Sequence, residues 1–274
     1  MKIQALTFSP TGTSARVIEG IMNGVGEETG RDVALLDLTL KESVERTYDA
    51  DDVVLLSGPV YGGKLAPIAK QRLGGMKGAG TRCIVVAVYG NRAFENAVTD
   101  FASFVEERGF TVVGAGAFVG EHSYSTDETP IAAGRPDASD MEEARRFGRA
   151  IGEKIAAGTL AKIDAAGLKD IPAPAESLAN FKAFVMDYQR QQAESPRVYL
   201  PVVDEELCNG CGSCVDVCPT GAIAADGIGL DAAKCIKCCA CVKECPQGAR
   251  TLYTPFAKVL SANFNARKAP VWIV

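Results

Sequence analysis

The stretch FSPTGTSARVIEG, Phe8 to Gly20, turns an apolar run into a helical pattern through a loop of small and hydroxyl-bearing residues. The run that enters it, IQALTF (3–8), is short and almost continuously apolar, as a strand buried on both faces must be. Four further runs repeat the plan: VALLDL (33–38), DVVLLSG (52–58), RCIVVAVYG (82–90) and TVVGAGAFVG (111–120), each followed by a helical stretch. Strands alternating with helices predict an α/β domain over residues 1–160, built on a five-stranded, doubly wound parallel sheet.

A strand that turns directly into a helix presents unpaired backbone N–H groups and the positive end of the helix dipole to whatever lies beyond it. An anion, above all a phosphate, suits that place. The loop adds the hydroxyls of Ser9, Thr11, Thr13 and Ser14 and the freedom of Gly12. It has no lysine to neutralise a triphosphate and no G-x-G-x-x-G for a dinucleotide. Hydroxyls without a fixed charge suit one terminal phosphate, which describes FMN. The alternative is a hydroxyl-capped helix start that binds nothing.

In an open α/β sheet, ligands lie beyond the carboxyl ends of the strands. The third strand ends in SGPVYGGKLAP (57–67) and the fourth in VYGNRAFENAV (88–98), so both loops should meet the first at one edge. Pro59, Val60, Tyr61, Gly62 and Gly63, with Tyr89, Gly90, Asn91 and Phe94, are therefore candidates to flank a planar ring. Tyr61 and Tyr89 supply aromatic faces, and the glycines let backbone amides approach.

The ten cysteines concentrate near the C-terminal end. CNGCGSCVDVCPTGAI (208–223) and CIKCCACVKECPQGAR (235–250) share the form C-x2-C-x2-C-x3-C-P at an offset of 27 residues, Cys208 to Cys235. Three close thiolates wrap one side of an iron–sulfur cubane, and in the two-cluster arrangement the fourth arrives from the other run. Cys208, Cys211, Cys214 and Cys245 form one predicted 4Fe–4S site; Cys235, Cys238, Cys241 and Cys218 form the second. A zinc site is the alternative, but it explains neither the third regular cysteine of each run nor the proline that follows the fourth. Cys239 fits neither register and reads as a non-ligating thiol; Cys83 reads as core.

These cysteine runs resemble the bacterial two-cluster ferredoxins over residues 201–251. Ser9, Thr11, Gly12, Thr13 and Ser14 resemble the flavodoxin phosphate loop, Ser/Thr-x-Thr-Gly-x-Thr, with serine in the last place. The chain as a whole resembles the flavodoxin/ferredoxin fusion proteins of anaerobic microbes. That resemblance implies FMN in a flavodoxin-like first domain and two 4Fe–4S clusters in a small α+β ferredoxin-like domain. Residues 161–200 are then a connecting segment with a helix near 177–191, and 252–274 a tail that either docks on the first domain or frays.

A formal charge of -5 argues against nucleic acid or an anionic membrane surface as a partner. No secretory signal or membrane-length apolar run is visible, so a reducing, anaerobic cytoplasm is the expected setting. The expected function is an iron–sulfur flavoprotein oxidoreductase. A reduced carrier or redox partner protein donates electrons, which cross the clusters to FMN and reduce a small organic substrate. The alternative is a pure electron carrier; a redox sensor ranks below both. The long irregular loop GEHSYSTDETPIAAGRPDASD (120–140) leaves the fifth strand at the carboxyl edge and is expected near the flavin. It offers His122, the only histidine, as a proton donor, with Tyr124 beside it and Arg135 to orient an anionic group.

Overall fold

All five predicted strands are present in the computed structural model, which describes residues 1–274. In chain order the first part runs β1 (Ile3–Thr7), α1 (Thr13–Thr29), β2 (Ala34–Asp37), β3 (Arg46–Tyr48), β4 (Val53–Tyr61), β5 (Lys64–Leu65), α2 (Pro67–Leu73), β6 (Met76–Gly78), β7 (Thr81–Tyr89), α3 (Ala97–Glu106), β8 (Phe110–Val119) and α4 (Ala138–Ala157). The second part contributes α5 (Ala175–Glu194), β9 (Val202–Val203), α6 (Ser213–Asp216), α7 (Ala240–Lys243), β10 (Arg250–Thr251) and α8 (Pro255–Asn263), and β11 (Val271–Ile273) closes the chain.

The five parallel strands stand in the order β2-β1-β4-β7-β8. Counted among themselves, that is second, first, third, fourth, fifth, the flavodoxin-like doubly wound order. The first six residues of β4 are all buried, which requires cover on both faces. Val53 and Leu55 join Val17, Ile18 and Ile21 of α1 and Phe147 and Ile151 of α4 in one apolar cluster. Val54 and Leu56 between them point to the opposite face and are equally buried; α2 and α3 pack against the sheet there. Each such side chain contributes roughly 1.5–3 kcal/mol relative to exposure, so both faces of the strand hold the helices to the sheet.

Helices α1 and α4 approach unusually closely because glycines face each other. A Cβ on Gly24 would stand 2.1 Å from the Arg145 carbonyl oxygen, and one on Gly148 would stand 2.1 Å from that of Ile21. No other residue fits at either place without separating the helices.

The tail docks. Strand β11 pairs antiparallel with β8, with Trp272 opposite Gly116, and the indole stacks on Phe147 at 5.1 Å between centroids. The sheet thus gains an antiparallel edge strand beyond the predicted five, and β5 adds a short hairpin to β4.

The chain divides into two compact units, whose boundaries differ from those read in the sequence. The first comprises 1–121, 134–171 and 267–274; the second comprises 122–133 and 172–266. In the second unit α5 carries an aromatic ladder, with Phe181 edge-on to Phe264 and Phe184 and Tyr188 edge-on to Phe256 of α8. The two cysteine runs keep their 27-residue offset in three dimensions. Helices α6 and α7 begin at Ser213 and Ala240, and the Cys208 and Cys235 N–H groups donate to Asp204 and Asp231 carbonyls. Strands β9 and β10 join the start of the first repeat to the end of the second.

Candidate cofactor sites

The loop after β1 is shaped by its own hydrogen bonds. Ser9 N–H donates to Thr39 Oγ1 at 2.8 Å, Ala15 N–H donates to Ser9 Oγ at 3.0 Å, and Gly12 N–H donates to the Ser9 carbonyl at 3.0 Å. From below, Ser57 Oγ bonds Thr7 Oγ1 at 2.7 Å and the Ser14 carbonyl at 3.3 Å. Gly12 precedes α1 in the left-handed region at φ 77° and, having no side chain, makes no cap bond of its own. Space is open where a Gly12 side chain would stand.

Within this pre-shaped loop the Ser14 hydroxyl is buried without a hydrogen-bond partner. An unmet buried hydroxyl costs about 1–3 kcal/mol, and a phosphate oxygen at the helix start would remove that cost. Thr11 and Thr13 are half-buried beside it. The residues therefore fit a phosphate.

Strands β1, β4 and β7 are adjacent and parallel, so their carboxyl ends share one edge of the sheet. At the end of β4, Pro59, Val60 and Tyr61 are half-buried, and Gly62 and Gly63 turn the chain into β5 at φ 58° and 76°. At the end of β7, Gly90 is half-buried and Asn91 is buried in the left-handed region at φ 65°. The two tyrosines differ. Tyr61 is half-buried, whereas Tyr89 is 4% exposed and packs edge-on against the buried Phe94 at 5.5 Å. Burial pushes the Tyr89 hydroxyl well above its ordinary pKa, with the Asp170 charge adding to the effect. Tyr89 and Phe94 thus support the loop from within, whereas Tyr61 is half-buried at the same edge.

The loop from Gly120 to Asp140 is not one lid, because its halves belong to different units. Residues 122–133 are built into the second unit: Lys243 Nζ donates to the Ser125 carbonyl at 2.8 Å, Ser261 Oγ donates to that of Pro130 at 2.9 Å, and Ile131 packs with Leu260 and Phe264. His122 Nδ1 accepts the Tyr124 N–H at 3.0 Å, and the two rings lie 4.9 Å apart. Burial, then the charges of Cys239, Tyr188 and Cys235, push the Tyr124 hydroxyl up to about 12. Arg135 belongs to the first unit and is 6% exposed. Its guanidinium pairs with Asp140 and donates to the Lys268 carbonyl at 2.9 Å. The expected grouping of His122, Tyr124 and Arg135 is therefore divided, and Arg135 is engaged in anchoring the start of α4.

The cysteines gather in two sets of four. Cys208, Cys211, Cys214 and Cys245 line one hollow. Cys218, Cys235, Cys238 and Cys241 line another. In each set, three thiols come from one run and the fourth from the other. Four thiols about each hollow, three from one run and one from the other, are the ligand set that a two-cluster cubane arrangement needs.

Both crossing thiols sit in a ring of backbone N–H groups. Burial opposes ionisation of Cys218, yet the amides of Thr220, Ala222 and Ile223 hold its pKa below the ordinary thiol value; the Ala222 N–H lies 3.2 Å from Sγ. At Cys245, burial is likewise outweighed by the amides of Arg250, Gln247 and Ala249, one repeat further on. The turn after each Cys-Pro thus favours thiolate, the form that ligates iron. Cys239 is 2% exposed, lines the second hollow as a fifth thiol, and has its pKa raised strongly by burial.

Sequence reasoning passed over three supporting groups. Ser57 and Thr39 shape the phosphate loop, and Asp170 accepts the Phe94 N–H at 2.8 Å. Nothing local marks these as site residues. Arg250 also escaped notice, although aligning the repeats exposes it: it stands where the first repeat has Ile223.

Residues 201–224 and 228–251 match the Fer4 family, the 4Fe-4S binding domain. No curated protein matches the chain. Among solved structures, a flavodoxin from the domain Archaea aligns at 19% identity and a TM-score of 0.39, covering 57% of this chain and 99% of its own. Oxidised Flavodoxin 2 from Bacillus cereus aligns at 20% identity and 0.42, covering 56% and 99%. A flavone reductase aligns at 15% identity and 0.42, covering 60% and 66%. The chain joins a flavodoxin-like sheet to a pair of 4Fe–4S binding repeats.

Proposed function

We propose that this chain is an iron–sulfur flavoprotein that carries electrons between an external redox partner, two 4Fe–4S clusters and FMN. The observation that carries the reading is the co-occurrence of two thiol-lined hollows, each completed by a thiol from the other repeat, with a pre-shaped loop holding an orphaned Ser14 hydroxyl. FMN exchanges one or two electrons and a cubane cluster one, so the pair converts between one-electron carriers and two-electron chemistry. Ser9, Thr11, Gly12, Thr13 and Ser14 hold the phosphate, while Tyr61, Gly62, Gly63, Gly90 and Asn91 border the ring. The two cysteine sets hold the clusters, and backbone amides lower the thiol pKa of the crossing ligands Cys218 and Cys245.

A finer reading ends the path at a small organic substrate reduced at the flavin, with His122 supplying the proton. It is favoured by the Tyr124 N–H at His122 Nδ1, which leaves Nε2 as the ring nitrogen carrying the proton in the neutral form. Arg135 is given no part in it.

Anaerobic purification with iron, sulfide and flavin quantified tests the first reading, followed by reoxidation of the reduced protein against a substrate panel. Zinc in place of iron, or absence of FMN, overturns it. For the finer reading, His122→Ala should keep flavin reduction by the clusters and lose turnover; unchanged turnover removes His122 from the chemistry.

A further inference from the structure

Arg250 is 2% exposed and lines the first cysteine hollow but not the second. It forms no salt bridge, although its charge is felt at Asp226. Its Nη2 donates to the Gly227 carbonyl and, at 3.5 Å, to that of Ile228; Nε and Nη1 are buried without partners. Burying a cation with two unmet donors is costly unless an anion stands nearby. The cluster site beside it supplies one, since four thiolates make the assembly anionic and reduction adds a further negative charge.

The two repeats are otherwise closely matched. Their helices, their aspartate-capped entries and the amide rings at their crossing thiols coincide at the 27-residue offset. At the position of Arg250 the first repeat has Ile223, an apolar side chain that lines the second hollow. The pseudo-symmetry is therefore broken by one full charge placed at one site.

We propose that Arg250 holds the reduction potential of the cluster bound by Cys208, Cys211, Cys214 and Cys245 above that of the other cluster, making it the resting place of the first electron. A buried cation stabilises the more negative, reduced form, so it raises the potential at the site it lines. Its charge also reaches Cys241 of the second set, so the second potential moves in the same direction; the larger shift belongs to the first because that is the hollow Arg250 lines. The proposal rests on the reading of both hollows as cluster sites.

The test is an anaerobic potentiometric titration followed by electron paramagnetic resonance, in the whole protein. Iron and sulfide content of the unaltered protein is measured first; if two clusters are absent, the cluster reading fails and not this inference. Cys211→Ser marks which signal belongs to the first set. Arg250→Ile, which copies the other repeat, is expected to shift the electron about tenfold away from the first cluster, about 59 mV for a one-electron step. Arg250→Lys, which keeps the charge, should retain most of the gap and covers the case in which the isoleucine variant does not fold. Because the guanidinium is buried, the gap should survive high salt. Equal shifts of both potentials, a larger shift of the second, no shift, or a gap that closes with salt each overturn the proposal.

Discussion

Gly212 and Cys239 occupy the same position of the two cysteine repeats, each opening a four-residue helix, and both lie in the left-handed region, at φ 78° and 62°. Glycine adopts that conformation freely, whereas an L side chain costs roughly 1–2 kcal/mol there. Cys239→Gly removes this cost and forfeits a buried thiol, two effects of similar size, so stability should change by no more than about 1 kcal/mol. Iron should stay at about eight atoms per chain, as two cubanes require. A fall to about four would make Cys239 a ligand. Denaturant melts with iron analysis decide it.

Ser14→Ala separates two effects that usually move together. The orphaned hydroxyl is a liability in the flavin-free protein, so its removal should leave that form as stable or slightly more stable. Loss of a hydrogen bond to phosphate should weaken FMN binding by about tenfold, near 1.4 kcal/mol. Flavin fluorescence titration and thermal melts of the flavin-free protein report the two quantities separately.

Arg135→Ala leaves Asp140, 1% exposed, with one fewer cation beside it. Breaking a buried pair from one side typically costs about 3–5 kcal/mol; Arg267, 3.2 Å from Asp140, offsets part of this. The loss should appear in denaturation of the first unit. If stability is unchanged while turnover falls, Arg135 acts on substrate after all.

Asp137 caps α4 and pairs with Arg267 of the tail, and that guanidinium, with the Asp140 N–H, holds its carboxyl well below the ordinary carboxylate range. A depressed folded value means that the stabilising contribution is present above the unfolded value, about 3.9, and fades as pH falls through the folded one. Acid should therefore loosen the tail only below the usual carboxylate range. The pair is solvent-exposed, so high salt should shrink the effect. Trp272, the only tryptophan, reports tail docking by fluorescence, and Asp137→Asn should abolish this part of the pH dependence.

The parallel sheet was legible because strands buried on both faces must be apolar throughout, and the cysteine sets were legible because cubane ligation dictates its own spacing. The edge strand was harder to read: Val271 to Ile273 is too short for periodicity, and only the stacking of Trp272 on Phe147 decides its place. The packing of the loop after β8 was equally hard to read: Ile131 is apolar and finds its cover against Leu260 of α8 and Phe264, which no local pattern announces. Tyr61 and Tyr89 look alike in sequence, and only the neighbouring Phe94 ring distinguishes support from surface.

The docking of β11 carries a consequence for biosynthesis. Residues 267–274, which supply the sheet's edge strand and the Arg267 partner of Asp137, leave the ribosome only after residues 172–266 have emerged. A domain made first would ordinarily finish folding first. Here the β8 edge stays open until the cysteine repeats have been translated, so the sheet cannot be completed on a nascent chain that stops short of them.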